Sequence, residues 1–194
     1  MAEKDIFTIG HSTHDRNHFL NLLKKYNINC VVDVRSVPYS KYVPQYNKDK
    51  LSNFLRENMI YYIHMGDQLG ARVKNPSLSN KEGKVVFSRV RRTANFRRGI
   101  ARLKEGQRKG YQIALMCSEK DPLNCHRTIL VSYQLKKEGF TVKHILADGK
   151  LKLHSQLEEE LVEKIFGKIE TINLFEESQE DKLEEAYHRQ NMNM

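Results

Sequence analysis

Two cysteines, a glutamate, an aspartate, a histidine and an arginine fall close together in "MCSEKDPLNCHRTIL" (Met116–Leu130). Four kinds of chemistry can be written for that set. Cys117, Cys125 and His126 are three soft metal ligands, with His11 or His144 as a fourth. The spacing speaks against this, because structural zinc sites usually pair cysteines across two to four residues, and seven residues separate these two. Adjacent residues on one helix also point about 100° apart, so Cys125 and His126 should diverge. The second reading is an activated thiol. Cys125 sits where a helix should begin, beside His126 and Arg127, and such surroundings lower a thiol pKa. Thiol phosphatases, however, carry an arginine six residues after the cysteine, and here those positions hold Leu123 and Val131. Cys117, at a strand end, should be half-buried.

The third reading is an anion cradle. Free N–H groups and the dipole at a helix start favour an anion, Arg127 adds a planar fork, and His126 adds a donor or general acid. The fourth is bland: Asn124 is a good N-cap, and "DPLN" is then only a capped turn. Anion binding is taken as the leading reading, with Cys117 and Cys125 unbridged.

Other residues join the set. His11 and Ser12 follow Gly10, and His11 is the best general acid or base outside the stretch, with Glu119 available to polarise it. Gly10 lets backbone approach closely, either to a ligand or within a turn. Asp33 and Arg35 leave a strand end on the same face, as a ligand-orienting pair or an ordinary ion pair. Tyr39, Tyr42 and Tyr46 could stack on a base or cover the sheet. Cys30 reads as core. In "FSRVRRTANFRRGIARLKEGQRKG" (Phe87–Gly110), Arg91, Arg92, Arg97 and Arg98 are candidates for nucleic-acid contact, or form a solvated helix face.

Positioning these groups falls to an alternation of elements. "DIFTI", "NCVVDV", "MIYYIH", "YQIALMC" and "FTVKHIL" read as five near-continuous apolar strands. Helical spacing separates them, in "DRNHFLNLLKKYNI" with Asp15 as N-cap, "KDKLSNFLREN", the basic segment, and "CHRTILVSYQLKKEG" ending at Gly139. The pattern predicts an α/β fold with a mostly parallel sheet of about five strands and helices on both faces. In such sheets ligands bind outside the carboxyl ends of the strands. His11, Ser12, Asp33, Arg35, His64, Asp67, Cys117, Glu119, His126 and Arg127 should therefore share one end. Residues 65–84 form a long loop region of the kind that is often functional. Residues 5–150 are expected to form the core domain. Residues 151–194 should form a helical tail, partly flexible, whose last residues carry too few apolar groups to hold themselves in place.

"TIGHS", "VVDVRSVPYSK", "GDQLGARV" and "LMCSEKDPLNCHR" followed by "GFTVKHI" together resemble the family catalogued as domain of unknown function 488. The resemblance runs from Phe7 to Ile145 and leaves the Glu-rich tail outside. It implies an α/β fold and a prokaryotic setting, and it assigns no activity.

The 194 residues suffice for one core and an appendage. A net charge of +9 favours phosphate-bearing partners, small molecule or nucleic acid. No apolar run is long enough to span a membrane. "MAEKDIFTIG" has no signal-peptide core, and three cysteines suggest a reducing cytoplasmic setting. Without G-x-G-x-x-G or a P-loop, no dinucleotide or Walker-type cofactor is expected, and no metal. The leading expectation is acid/base hydrolysis or transfer on a nucleotide or nucleic acid. The rivals are a non-catalytic binding module and a metal-dependent enzyme using Cys117, Cys125 and His126. The oligomeric state is not legible.

Overall fold

A computed structural model describes residues 5–167 and 179–194. Its centre is a sheet of β1 (Asp5–Gly10), β2 (Cys30–Asp33), β3 (Tyr61–His64), β4 (Ile113–Cys117), β5 (Thr141–Ile145) and β6 (Leu151–Leu153), in the order β3-β2-β4-β1-β5-β6. The first five strands run parallel, as their near-continuous apolar character predicts. β6 is an addition, antiparallel to β5. Leu151 and Leu153 both stay exposed, so no buried face announces that strand.

Alternate strand residues feed two apolar clusters. Phe7, Ile9, Val31, Ala114 and Met116 pack with Phe19, Leu22 and Leu23 of α1 (Arg16–Lys25) and with Leu51 and Leu55 of α2 (Lys48–Glu57). Asp15 caps α1, its carboxylate accepting from the Asn17 and His18 amides. Ile6, Val32, Ile113, Leu115 and Val142 face the other way. They meet α4 (Phe87–Arg91), α5 (Ala94–Arg108), α6 (Tyr133–Lys137), α7 (His154–Phe166) and α8 (Gln179–Asn193). A four-residue helix, α3 (Gly66–Leu69), and a 3₁₀ turn at Pro76–Leu78 lie within the long loop region. Gly139 closes α6 with φ +83°, the left-handed cap that glycine favours.

Two departures bear on the site. The helix expected from Cys125 starts later: Cys125 is extended (φ −136°, ψ 137°), and Arg127–Ser132 forms a π-helical turn before α6. π-helical turns recur at functional sites. The tail's end is also held: Ala186, Tyr187, Gln190 and Asn191 of α8 are buried. Leu183, Ala186 and Tyr187 pack on the core, and polar groups extend the contact beyond them. Asn191 bridges the Phe87 amide (2.8 Å) and the Val85 carbonyl (3.0 Å), and Gln190 donates to the Leu123 carbonyl (2.8 Å). The segment 168–178, on which the expected flexibility also fell, lies outside the described residues.

Candidate functional site

Strand order explains why the polar groups converge. β4 lies between β1 and β2, so the segments leaving β1 and β2 flank the end of β4 on either side. The His11 amide donates to the Cys117 carbonyl (2.9 Å) and the Val34 amide to the Met116 carbonyl (3.0 Å). A cavity of about 740 Å³ opens at this end, within the size range of small-molecule sites. Its wall includes His11, Arg35, Tyr39, Cys117, Glu119, Cys125 and His126. Asp33 and Arg127 are buried at the same end of the sheet but do not line it, and neither does Ser12.

Cys117 and His126 form a close pair at the cavity. The Cys117 sulfur lies 3.6 Å from His126 Nδ1. His126 Nε2 is 3.0 Å from the Val34 carbonyl, which can only accept, so Nε2 carries a proton and Nδ1 faces the sulfur. A hydrogen bond from the Cys125 thiol holds Cys117 well below the usual thiol range against the cost of burial, and the charge of His126 acts in the same direction. Burial and the neighbouring Cys117 push the Cys125 thiol up. Burial alone would depress His126, but Cys117 beside it raises its proton affinity. The arrangement sets a thiol of lowered pKa beside an imidazole of raised proton affinity at the wall of a cavity.

Arg35 is fixed from behind. Asp33 Oδ1 accepts from Arg35 Nε (2.9 Å) and from its backbone amide (3.0 Å), and Oδ2 accepts from Nη2 (2.6 Å). Nη2 also reaches the Tyr46 carbonyl (2.8 Å), and the Tyr62 hydroxyl donates to Asp33 (2.6 Å). Nη1 donates to His11 Nε2 (3.1 Å). His11 Nδ1 donates to the Ser12 carbonyl (2.8 Å), and the ring stacks on Tyr46 at 4.1 Å. Burial and the Arg35 charge lower His11 to about 4. Both its nitrogens are engaged and burial keeps it neutral at pH 7, so in this arrangement His11 orients Arg35. Ser12 adopts φ +47°, a strained backbone that a β-strand end rarely needs.

The anion cradle at the helix start does not form as expected. Arg127 is 1 % exposed, and its Nη groups end on the Glu119 (2.6 Å) and Lys120 (3.3 Å) carbonyls. It latches the loop to the helix. Cys125, through its carbonyl, already accepts the Thr128 and Ile129 amides. Asn124 caps no helix; its side chain donates to Asp121 (2.7 Å) and accepts from Gln190 (3.0 Å). Glu119 is exposed and its carboxylate meets Ser118 (3.3 Å) rather than His11. The expected divergence of Cys125 and His126 fails for one reason: Cys125 is extended, so the helical angle does not apply. Their ligand atoms and that of Cys117 all lie within 4.8 Å of one another. The three cysteines are free, as expected.

The basic segment divides. Arg91 sits 3.8 Å over the Tyr133 ring and donates to the Ile129 carbonyl (3.3 Å), and burial lowers its pKa. Arg92, Arg97 and Arg98 face solvent. Tyr46 is core, whereas Tyr39 (53 % exposed) stands at the cavity and Tyr42 is exposed. Arg72, Ser36 and Ser40 also line the cavity. They were missed, although the long loop and the "GARV" stretch pointed near them. Asn193 and Met194 line it too, with no signal in the sequence.

Gly10 permits a backbone approach, but to the chain itself. A Cβ there would lie 1.9 Å from the Glu119 carbonyl oxygen and 3.2 Å from Arg127 Nη1. Gly10→Ala is therefore expected to displace the Glu119 loop and cost about 1–3 kcal/mol, read as a lowered Tm. An unchanged Tm would show that the loop moves freely.

A family model described as Domain of unknown function DUF488 matches residues 15–134, a span that ends within α6 and leaves out β1, β5, β6, α7 and α8. No curated protein and no solved structure matches the chain.

Proposed function

The chain belongs to the family described as Domain of unknown function DUF488, and from that premise we propose that it is a thiol enzyme catalysing hydrolysis or transfer on a phosphate-bearing substrate, a nucleotide or nucleic acid. The observation that carries the reading is the Cys117 sulfur 3.6 Å from His126 Nδ1, with Nε2 held by Val34, at a cavity wall. A nucleophile with an oriented partner is the general form of covalent catalysis. The sulfur bonds to the electrophilic centre of the substrate. The bond to the leaving group breaks with its electron pair, and the leaving group takes the Nδ1 proton. Water or an acceptor hydroxyl, deprotonated by His126, then displaces the sulfur and restores the pair.

Arg35, held by Asp33 and His11, and Arg72 on the cavity wall supply positive charge for the phosphate. Tyr39 offers a face for a base. The net charge of +9 and the exposed Arg92, Arg97 and Arg98 support a polyanionic partner. Three free thiols favour a reducing, cytoplasmic setting. No helix among the described residues is long and apolar enough to cross a membrane.

Alkylation tests the nucleophile without a substrate. Iodoacetamide at neutral pH is expected to modify Cys117 well before Cys30, as mapped by peptide mass. With a panel of nucleotides and oligonucleotides, Cys117→Ser should lower turnover on the order of a thousandfold or more. Cys117 reacting no faster than Cys30, or turnover surviving in Cys117→Ser, overturns the reading.

A further inference from the structure

The same cluster carries a second capacity, a metal site that stands on its own geometry and whose effect on Cys117 rests on the thiol reading. Cys125 has no place in the proposed reaction beyond its hydrogen bond to Cys117, yet its sulfur, the Cys117 sulfur and His126 Nδ1 lie within 4.8 Å of one another. A tetrahedral zinc ion, with Zn–S about 2.3 Å and Zn–N about 2.0–2.1 Å, separates a sulfur and a nitrogen ligand by about 3.5 Å. The Cys117 sulfur and His126 Nδ1 stand at 3.6 Å. Metal-binding histidines almost always donate their other ring N–H to a carboxylate or a carbonyl, which the Val34 carbonyl provides at 3.0 Å.

All three side chains also border the cavity, so a fourth position would open toward solvent, as in sites that hold three protein ligands and a water. Backbone holds the trio together. The Cys117 carbonyl accepts from His11, and the Leu123 carbonyl, just before Cys125, accepts from Gln190 of α8.

We propose that Cys117, Cys125 and His126 bind one zinc ion, with the fourth position facing the cavity, and that the bound ion silences the Cys117 nucleophile. Binding joins the ion to two thiolate sulfurs and the imidazole nitrogen. The thiol proton of Cys125 and the Nδ1 proton of His126 pass to solvent, and no electron moves. Two thiolates neutralise the ion, so no net charge is added to a wall that already holds Arg35.

Cobalt serves as the optical probe. Titrating the full, metal-free chain with Co²⁺ is expected to give one equivalent of a tetrahedral complex, with a near-ultraviolet thiolate-to-metal band that Zn²⁺ displaces. Cys30→Ser should leave the band unchanged. Cys125→Ala should weaken binding at least tenfold and remove about half of the band. Should that variant fold poorly by circular dichroism, the wild type still answers: one equivalent of Zn²⁺ should slow iodoacetamide modification of Cys117 at least tenfold. Absence of the band, a full band in folded Cys125→Ala, or alkylation indifferent to zinc each overturns the site. Alkylation of Cys117 without Co²⁺ binding defeats this proposal alone. Co²⁺ binding by a chain whose Cys117 is inert defeats the thiol reading and the silencing with it, and leaves the metal site standing.

Discussion

Asp33→Ala is expected to cost about 3–5 kcal/mol, because it removes the counter-charge from a buried arginine and leaves the other partner uncompensated. Asp33 is fully buried and Arg35 is 6 % exposed. The carboxylate accepts from two guanidinium nitrogens, one amide and the Tyr62 hydroxyl, so four donors lose their acceptor together. Burial and the Asp33 charge also push the Tyr62 phenol up, and Tyr62→Phe, which deletes one donor and keeps the ring, should cost only about 1 kcal/mol. Urea unfolding of the two variants separates a stiff ion-pair core from a decorative one. A loss under 1 kcal/mol for Asp33→Ala would mean that Arg35 escapes to the cavity, and the fixed-arginine account would fail.

Lowering the pH from 7 to 5 should destabilise the fold by several kcal/mol. Thr8 donates to His144 (2.8 Å), His144 to His154 (3.1 Å), His154 to Tyr187 (2.9 Å), and Tyr187 to Glu158 (3.0 Å). The order follows from the end of the chain, because a carboxylate only accepts. Both histidines must be neutral for it. Burial and then Lys136 lower His154 to about 3. Burial and then His154 hold His144 well below its ordinary value.

A histidine with a depressed folded pKa takes its proton first in the unfolded chain. Stability is therefore complete above about pH 6.5 and falls as pH drops toward the folded value. Each pH unit in that window costs about 1.4 kcal/mol per histidine. His154 and His11 thus lose about 2 kcal/mol each by pH 5, and His144 adds to this. His126, whose affinity is raised, works in the opposite direction and offsets part of the loss. Equal urea midpoints at pH 7 and pH 5 would refute the neutral chain.

The five parallel strands were legible because each is a short, mostly apolar or β-branched run set between helical spacings, although β3 turns out half-exposed at the sheet edge. That His11, Arg35 and Cys117 share one end was legible because each closes or follows a parallel strand; their convergence depends on β4 lying between β1 and β2, which no strand announces by itself. What could not be read were pairings made through backbone atoms. Arg127 looked like an anion fork because its true partners, the Glu119 and Lys120 carbonyls, carry no side-chain signature. The Cys125–His126 geometry was misjudged by one residue of helix start, which changes the direction of a side chain by about 100°. α8 was judged too polar to dock, since Gln190 and Asn191 act through amide hydrogen bonds that hydrophobic spacing does not register.

That docking has a consequence in time. Gln190 of α8 holds the Leu123–Asn124 turn immediately before Cys125, yet it is translated about 65 residues after Cys125. At synthesis rates of about 5–20 residues per second, the turn waits about 3–13 seconds on the ribosome before its brace exists. Until Gln190 has been made, the turn that leads into Cys125 lacks the amide that ties it to α8.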